Sequence, residues 1–358
     1  MKAALISLGS VSSTWVADAM KKYFDSVDII NLKEIEVVLG KKGGIFYQGK
    51  EFNQYDCVYL KGSFRYANLL RSVATFLERK VAYQPLTPDS FTVVHNKLLT
   101  HLALQQHNIP MPKTFLSPNV DAAKILLKEV RYPIVMKFPE GTQGKGVMFA
   151  DSFASASSLL DALGVLKQPF IIQEYIDTDG TDIRALVVGE KVVAAMKRKA
   201  QTEEKRANIH AGGVGEAVQL SPEAMAVAVE TAQALGADVC GVDILEGSRG
   251  PLVIEANISP GLQGLSKVST INIPDEIAKY FFRRTEVALF QDKKKTATDM
   301  MKEIAVEGSP SNQEVVTHIA LRGDRIILPE FVNKIAKFSE RKEYVIKSKK
   351  GKVEVQEL

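Results

Sequence analysis

GVDILEGSRGPLVIEANISPG, residues 241–261, is the stretch that decides the fold. It predicts two short apolar strands joined by a turn at Gly247 to Gly250, and alternate side chains of a strand share a face. Glu255 and Asn257 therefore lie on one face, and the neighbouring strand can bring Asp243 alongside them. Two carboxylates and an amide oxygen form an all-oxygen cluster of the kind that binds Mg²⁺ and leaves room for phosphate oxygens. A polar strand end facing solvent is the weaker alternative, because a buried apolar run rarely continues into an unpartnered carboxylate.

A glycine-rich hairpin, YPIVMKFPEGTQGKGVMFA (residues 132–150), could hold the phosphates. An apolar run ends in Lys137, and the tip that follows contains three glycines whose backbone N–H groups can approach an anion closely. No GK[ST] sequence opens a helix here, so the segment is not a Walker loop. Most glycine-rich hairpins are plain turns, but a lysine inside an apolar strand needs a negative partner such as a phosphate. The candidate ligand contacts are Lys137, Gly141, Gln143, Gly144 and Gly146.

Three further segments carry polar residues in patterns that suit a ligand. Asn96 can cap a helix that starts at Lys97, where a positive charge is slightly unfavourable and a functional role is therefore favoured. Further on, an apolar strand runs into an edge segment that could offer backbone groups to an adenine. Two strands then meet at a Gly189-Glu190 turn. The segment KRANIHAGG (residues 205–213) ends in two glycines, which allow the backbone to approach a ligand closely. The candidate contacts in these segments are Lys97, Glu174, Tyr175, Ile176, Asp182, Arg184, Arg206, Asn208, His210, Gly212 and Gly213.

Taken in order, these motifs resemble the ATP-grasp ligases, and within them the RimK-type α-L-glutamate ligases. The resemblance covers Asn96 to about Arg284, more than half of the chain, with the motifs in the correct order and spacing. It implies an α/β (α+β ATP-grasp) fold in which a nucleotide lies between a small lid, roughly residues 111–173, and a larger half, roughly residues 174–284. The sequence departs from the family pattern at Ala211, where RimK-type ligases generally have arginine, and this leaves the substrate contact of that arginine without a counterpart.

The resemblance also implies a role for each candidate residue. Lys97 and Lys137 would contact the α- and β-phosphates, with Lys137 also near the adenine, and residues 174–176 would form the adenine hinge. Asp182 would lie near the ribose or in the adjoining shell. The catalytic residues implied are Arg206 and Asn208, at the terminal phosphate and the acyl-phosphate oxygens. Asp243, Glu255 and Asn257 would hold one or two Mg²⁺ (or Mn²⁺) ions, and the substrate contacts implied are Arg184, His210 (as a positioning residue), Gly212 and Gly213.

The chemistry expected of such a site follows from charge. A carboxylate is a poor electrophile, so ATP first phosphorylates it to an acyl phosphate, which an amine then attacks. Phosphoryl transfer depends on positioning and on neutralising negative charge more than on a covalent catalyst. A Ser-His-Asp or Cys-His arrangement is not needed, and none is visible in the sequence.

Length and composition agree with a multidomain enzyme. The chain has 358 residues, of which 46% are hydrophobic, and carries a net charge of +4 spread along its length. This size predicts two or three domains, and the mild charge favours acidic small substrates over nucleic acid. Both cysteines, Cys57 and Cys240, fall in apolar runs, which predicts buried free thiols in a reducing compartment. The N-terminus shows no secretory signal and no membrane anchor, so a cytoplasmic location is expected.

The regions around the core complete the predicted organisation. Residues 1–95 show the strand–helix alternation of a small parallel-sheet domain. Gly9, Ser10 and residues 61–65 follow predicted strands, where open α/β sheets bind ligands, and they could contact the carboxylate substrate. Plain turns are an equally good explanation of these residues. Residues 96–290 form the predicted ATP-grasp domain and residues 291–313 a polar, partly helical linker. Residues 314–358 form a β-hairpin-rich module that faintly resembles AbrB-like swapped hairpins and favours homo-oligomerisation or acceptor docking over DNA binding.

We therefore expect an ATP-dependent carboxylate–amine ligase that adds L-glutamate, or a similar amino acid, to a carboxylate acceptor. Peptides, protein termini and pterin- or deazaflavin-like cofactors are the acceptor classes considered. Two alternatives remain at this stage. One is a ligase acting on an amino-group carrier protein in amino-acid biosynthesis, and the other is a non-catalytic ATP-sensing regulatory protein, against which a complete set of metal ligands argues.

Overall fold

The computed structural model describes residues 1–41, 43–139, 146–167, 169–199 and 214–307, and, further along the chain, 320–322, 325–328, 332, 336–339, 342–350 and 352–358. These residues fall into two compact units, Met1–Thr296 and Ala297–Leu358. Within the described part of the chain, no helix has the length and apolar character needed to cross a membrane.

The N-terminal part of the first unit contains the predicted parallel sheet. Its elements are β1 (Lys2–Ser7), α1 (Val11–Met20), β2 (Ser26–Asn31), β3 (Ile35–Val38), β4 (Gly44–Tyr47), β5 (Lys50–Glu51), β6 (Cys57–Leu60), α2 (Ala67–Leu77) and α3 (Ser90–Val93). The strand order β2-β1-β6 is parallel throughout, which confirms the prediction from the strand–helix alternation. The antiparallel sheet β3-β4-β5 is an insertion that the sequence analysis did not predict.

A second, smaller sheet has a core of its own. Its region comprises α4 (Lys97–Gln106), β7 (Thr114–Phe115), α5 (Val120–Leu126), β8 (Ile134–Lys137), β9 (Val147–Ala150), α6 (Phe153–Val165) and β10 (Ile171–Glu174). The strand order is β7-β10-β8-β9, all antiparallel. Met136, Leu160 and Ile172 are among the buried residues that α5, α6 and the sheet enclose. Because this cluster is separate from the main core, the small sheet is a subdomain with its own packing.

The central sheet of the first unit is antiparallel and five-stranded. Its region comprises β11 (Thr181–Val188), β12 (Lys191–Lys199), β13 (Val214–Ala217), α7 (Pro222–Ala234), β14 (Val239–Gly247), β15 (Gly250–Asn257), α8 (Gln263–Val268) and, as far as Thr296, α9 (Ile273–Glu307). The strand order is β13-β12-β11-β14-β15. One continuous hydrophobic core joins this sheet to the N-terminal sheet, and the rings of Tyr59 and Phe281 meet edge to face within it at a centroid distance of 4.9 Å.

The region after residue 290 differs in part from the sequence expectation. Helix α9 runs to Glu307, through most of the predicted linker, because after Pro274 the next helix-breaking residue is Gly308. The second unit contains two antiparallel hairpins, which are β16 (Ala320–Arg322) with β17 (Arg325–Ile327) and β18 (Tyr344–Lys349) with β19 (Lys352–Glu357). Both hairpins occur where the sequence analysis expected them.

Candidate active site

A cavity of about 500 Å³ lies where the N-terminal part, the small sheet and the central sheet of the first unit meet. Ten of the predicted site residues line it: Lys97, Lys137, Glu174, Tyr175, Ile176, Asp182, Arg184, Asp243, Glu255 and Asn257. Gly146 is described just before β9 but is not among the lining residues. Eight other predicted site residues lie outside the described residues: Gly141, Gln143, Gly144, Arg206, Asn208, His210, Gly212 and Gly213.

The three predicted metal ligands come from two adjacent strands. Asp243 on β14 is the direct register partner of Glu255 on β15, and Asn257 lies two residues further along β15. The register shifts by one residue at Ile254, and such bulges re-aim side chains next to functional sites. Glu255 and Asn257 are partly exposed and line the cavity, whereas Ala256 between them is buried. The alternation that the sequence suggested therefore exists, with a bulge added to it.

Asp243 also belongs to a buried network of charges. Its carboxylate accepts two hydrogen bonds from Arg184, Nε to Oδ1 and Nη2 to Oδ2, both at 2.7 Å. Nη2 of Arg198 donates to Oδ2 of Asp243 at 2.8 Å, and the same guanidinium donates to both carboxylate oxygens of Asp182 at 2.5 and 2.8 Å. Burial alone would raise the pKa of Asp243, but the two guanidinium groups hold it well below its usual range. Asp243 is therefore ionised whenever this network is intact.

Arg198 was not predicted from the sequence, because a register shift in its strand pair decides which residue it faces. Arg198 on β12 is the register partner of Asp182 on β11, and Arg184 is the register partner of Asp243 on β14. Opposite charges at directly opposed positions of neighbouring strands form favourable pairs. Counting back from the Gly189-Glu190 turn would pair Asp182 with Lys197, and the register shift between Leu186 and Val187 moves its partner to Arg198. No short-range pattern links Arg198 to Asp243.

The donor set suits a divalent cation that shares its coordination with phosphate oxygens. Within the described ranges, no group of three or more His, Cys, Asp and Glu side chains could hold a metal ion by itself. Two carboxylates and the Asn257 amide are available, and three hydrogen bonds already occupy Asp243. Hard oxygen donors that leave several positions to water and substrate are the ordinary arrangement for Mg²⁺ and not for a closed structural zinc site. The residues present therefore fit a magnesium ion bound together with a nucleotide.

The two candidate phosphate lysines are connected through His101 and Gln173. Nζ of Lys137 donates to Oε1 of Gln173 at 2.7 Å, and Nε2 of Gln173 contacts Nε2 of His101 at 2.9 Å. Nδ1 of His101 lies 2.5 Å from the Lys97 carbonyl oxygen, which can only accept, so Nδ1 carries the proton and Nε2 accepts from Gln173. Burial, with the charges of Lys137 and Lys97, lowers the pKa of His101 to about 4. This series of hydrogen bonds joins α4 to the small sheet. Neither His101 nor Gln173 was identified from the sequence.

Lys137 also interacts with the candidate metal site. Burial lowers the pKa of Lys137 to about 8, and this lowering is opposed by the negative charge of Glu255 and reinforced by the positive charge of Lys97. Lys137 therefore interacts electrostatically with both Glu255 and Lys97. Two ammonium groups and a carboxylate around one cavity suit a bound polyanion and a cation that bridges the polyanion to the carboxylate.

The predicted adenine hinge, residues 174–176, lies at the C-terminal end of β10. The backbone N–H of Glu174 donates to the Lys113 carbonyl at 2.9 Å, and the Glu174 carboxylate accepts from the Lys113 N–H at 2.6 Å and from Arg249 at 2.5 Å. Arg249 lies in the β14–β15 turn, so the hinge contacts the end of the central sheet opposite to Asn257. Tyr175 and Ile176 follow β10 and line the cavity. The segment is held in place by Glu174.

Similarity to known proteins identifies the family. Residues 94–281 match the family model described as "RimK-like ATP-grasp domain". A "Probable alpha-L-glutamate ligase" of Legionella pneumophila (strain Corby) is 44% identical over 185 residues, which are 51% of this chain and 61% of that protein. The chain thus spans less than two thirds of that relative. A protein of the same name from Marinomonas sp. (strain MWYL1) is 34% identical over 285 residues, 78% of this chain and 95% of that protein.

The fold is that of solved ATP-grasp ligases. The structure of ATP-grasp ligase PsnB complexed with minimal precursor, Mg and ADP superposes with a TM-score of 0.63 at 18% sequence identity, covering 79% of this chain and 97% of that chain. At this identity the similarity concerns the fold alone, and it confirms the predicted fold class. Together with the matched family domain, it shows that the chain belongs to the RimK-like ATP-grasp family.

Proposed function

We propose that the chain is an ATP-dependent carboxylate–amine ligase that joins L-glutamate to the carboxylate of a peptide, protein terminus or cofactor-like acceptor. The proposal rests on one observation, which is that the predicted metal ligands and the predicted nucleotide-binding residues line the same cavity. Asp243, Glu255 and Asn257 face it from β14 and β15, and Lys137 and the hinge residues face it from the small sheet. The relatives named as probable α-L-glutamate ligases support glutamate as the amino acid that is added.

The nucleotide would lie along β15. Backbone groups of Glu174 to Ile176 would receive the adenine, and Lys97 and Lys137 would neutralise the α- and β-phosphates. Mg²⁺, or Mn²⁺ in its place, would supply Lewis-acid and template chemistry when bound at Asp243, Glu255 and Asn257. Asp182 would keep Arg198 aligned from the adjoining shell, since it accepts two hydrogen bonds from that guanidinium.

The reaction needs two displacements, and this chain's residues would assist both. An oxygen of the acceptor carboxylate attacks the γ-phosphorus of ATP, the bond to the β–γ bridging oxygen breaks, and ADP leaves. The amine of glutamate then attacks the acyl carbon, loses a proton, and inorganic phosphate leaves. Arg184 would stabilise the negative charge that spreads over the transferred group, as would Arg206 and Asn208, the catalytic residues predicted from the sequence. Closure of the small subdomain would exclude water from the acyl phosphate.

Two other functions remain candidates. A ligase that acts on an amino-group carrier protein would use the same metal and phosphate residues, and PsnB, which has this fold, has been solved in complex with a precursor peptide. A non-catalytic ATP sensor would bind the nucleotide but release no ADP in response to an amino acid. We place the reaction in the cytoplasm, since Cys57 and Cys240 are buried free thiols, which suits a reducing compartment.

The test is to incubate the chain with ATP, Mg²⁺ or Mn²⁺, L-glutamate and a panel of acceptors, measuring ADP release and product mass. The expected product is the acceptor enlarged by one or more glutamate residues. Glu255→Gln should lower turnover by on the order of 100-fold or more, because it removes a charged ligand next to the transferred phosphoryl group. Glu246→Gln is the matched control, since Glu246 is an exposed carboxylate on β14. Nucleotide binding with no amino-acid-dependent ADP release would favour the sensor.

A further inference from the structure

Lys61 is a buried cation in the wall of the same cavity, at the start of the segment (residues 61–65) that follows a strand of the N-terminal parallel sheet. It follows β6 and is only 4% exposed. Its Nζ donates to the Pro260 carbonyl at 3.2 Å and lies 5.7 Å from the centroid of the Tyr59 ring. A buried charge normally has a counter-ion, because removing it from water is costly. Among the described residues, Lys61 forms no ion pair, and burial alone lowers its pKa to about 8, so it still carries its charge at neutral pH.

The residues around Lys61 come from distant parts of the sequence and are joined by hydrogen bonds. The Gly62 N–H donates to Oγ of Ser259 at 3.0 Å, and the Ser259 N–H donates to Oδ1 of Asn257 at 2.8 Å. At the start of α1, Oγ of Ser12 accepts from the Leu262 N–H at 2.9 Å. These contacts fix the N-terminal sheet to the loop that follows the candidate metal ligands. Lys61 is thereby held at a set position relative to Asn257.

The direction of β15 decides which ligand Lys61 can meet. The strand has eight residues, so its ends lie roughly 23 Å apart. The hinge contacts the Gly250 end through Arg249 and Glu174, whereas Lys61 contacts Pro260, beyond the Asn257 end. A nucleotide with its adenine at the hinge and its terminal phosphates at Glu255 and Asn257 would leave Lys61 past the γ-phosphate. The carboxylate that accepts the phosphoryl group, or the amine that attacks the acyl phosphate, has to lie in that space.

We propose that Lys61 is a substrate-binding residue that pairs with a carboxylate group of a co-substrate beyond the γ-phosphate. This inference rests on the proposed ligase function. The carboxylate belongs either to the acceptor or to glutamate, and both sources share the chemistry that a buried ammonium group recognises. Ser10 and Ser13, at the N-terminal end of α1, also line the cavity, and their hydroxyl oxygens are 2.8 Å apart, so one of the two hydroxyl protons can be donated to the carboxylate. Pairing is non-covalent, and no bond is made or broken at Lys61.

The experiment compares ligand binding by the parent chain and two Lys61 variants, with Mg²⁺ and a non-hydrolysable ATP analogue present. Lys61→Met keeps the length of the side chain and removes its charge, and Lys61→Arg keeps the charge. Lys50→Met is the control, since Lys50 is exposed on β5. The probes for calorimetry are L-glutamate, a tetrapeptide with a free C-terminal carboxylate, and the same peptide capped as an amide. Thermal unfolding and the affinity for the ATP analogue are measured alongside.

The expected result is that Lys61→Met weakens binding of one carboxylate probe by about 10-fold or more, because it removes one partner of a buried charge pair. The affinity for the ATP analogue should stay the same, Lys61→Arg should retain most of the binding, and the melting temperature of Lys61→Met should equal or exceed that of the parent chain. If the acceptor carboxylate is the partner, free-peptide binding falls in the variant and the capped peptide binds weakly to both proteins. If glutamate is the partner, only glutamate binding falls.

Several outcomes would overturn the proposal. A loss of affinity for the ATP analogue in Lys61→Met would assign Lys61 to the nucleotide site. Lower stability of both Lys61 variants would make Lys61 a structural residue. Unchanged binding in the variant, or no binding of any carboxylate probe by the parent chain, would also contradict it. Failure of the ligase proposal would look different: carboxylate binding would depend on Lys61, yet no acceptor would stimulate ADP release from ATP.

Discussion

Arg198 holds two carboxylates at the centre of the site. Its guanidinium is 4% exposed and donates to both Asp182 and Asp243. Replacing it would leave two buried negative charges close together with Arg184 as the remaining cation. A buried ion pair adds little to stability when complete but is costly to break. Arg198 is therefore a positioning residue, because it keeps Asp243 ionised and fixed while Asp243 serves the predicted metal site.

We predict that Arg198→Met lowers the free energy of unfolding by about 3–5 kcal/mol, the usual cost of leaving a buried charge unpaired. Arg198→Lys should recover part of this loss, because lysine restores the charge but cannot bond both carboxylates through a planar fork. Urea denaturation measures both values. Lys199→Met, an exposed position on the same strand, is the control. A loss below about 1 kcal/mol in Arg198→Met would mean that the network does not stabilise the fold.

His101 makes the stability of the chain depend on pH. Its pKa is lowered to about 4 in the folded state from 6.5, so the unfolded state takes up the proton first as the pH falls. The stability that His101 contributes is therefore complete above about pH 6.5 and is lost between about pH 6.5 and pH 4. Protonation would also place an N–H on Nε2 facing the Gln173 amide, and the hydrogen bond between Gln173 and Lys137 would be disturbed.

We predict that the free energy of unfolding falls by on the order of 3 kcal/mol per buried histidine between pH 7 and pH 4. His95, whose pKa burial also lowers to about 4, contributes in the same direction. Denaturation curves at a series of pH values should show a shallower dependence for His101→Gln than for the parent chain. His107→Gln, a change at an exposed histidine just after α4, is the control. An unchanged slope in His101→Gln would show that Nε2 does not need to stay unprotonated.

At the scale of elements, the β8–β9 hairpin depends on a glycine at the base of the predicted phosphate loop. Gly146 has a φ of +79°, and a Cβ placed on it would lie 2.2 Å from Cδ2 of Phe138. Phe138 in turn donates its N–H to the Gly146 carbonyl at 3.3 Å, next to the pairing of Lys137 with Val147. A side chain at residue 146 would therefore push the two strands apart beside Lys137.

We predict that Gly146→Ala weakens nucleotide binding by about 10-fold, in line with a strain of about 1–3 kcal/mol at such backbone positions. The separate core of the small subdomain should keep the fold intact. Gly49→Ala is the matched control, because Gly49 has a similar φ of +73° in the β4–β5 turn with open space around it. It should lose stability without losing nucleotide affinity. Equal nucleotide affinity in both variants would contradict a role for the hairpin in phosphate binding.

The elements also show what the sequence could and could not predict. The period of two in β15 was enough to place Glu255 and Asn257 on one face. Counting from the short turn before β15 would pair Asp243 with Ile254, and the register shift at that point brings Asp243 opposite Glu255 instead. Local spacing also located Lys137 at the end of β8. Arg198 and Asp243 are 45 residues apart, and Lys61 meets Pro260 across 199 residues. Those contacts follow from the order of strands in the sheets and from the packing of two sheets on one core, which no local pattern encodes.

At the scale of the whole molecule, the second unit exposes apolar residues on its hairpins. The described part of this unit has two sheets of two strands each. On β18 and β19, Ile346 is 67% exposed and Val353 53% exposed. An isolated two-stranded hairpin is marginally stable in water, and stable sheets need further strands or a packed face. We therefore expect these hairpins to associate with those of a second copy of the chain, in agreement with the homo-oligomer predicted from the sequence.

We predict that the parent chain is a dimer or larger assembly in solution and that Ile346→Lys with Val353→Lys shifts it to a monomer. The two lysines would place charges in an interface that requires an apolar face. Light scattering after size-exclusion chromatography measures the mass, and the control is Lys347→Gln with Lys349→Gln, which changes exposed charges on β18 and keeps the apolar side chains. ADP release per chain should be the same for both double variants, because every described residue of the candidate active site belongs to the first unit. A monomeric parent chain would exclude the association, and monomers that also lose activity would indicate that the second unit takes part in catalysis.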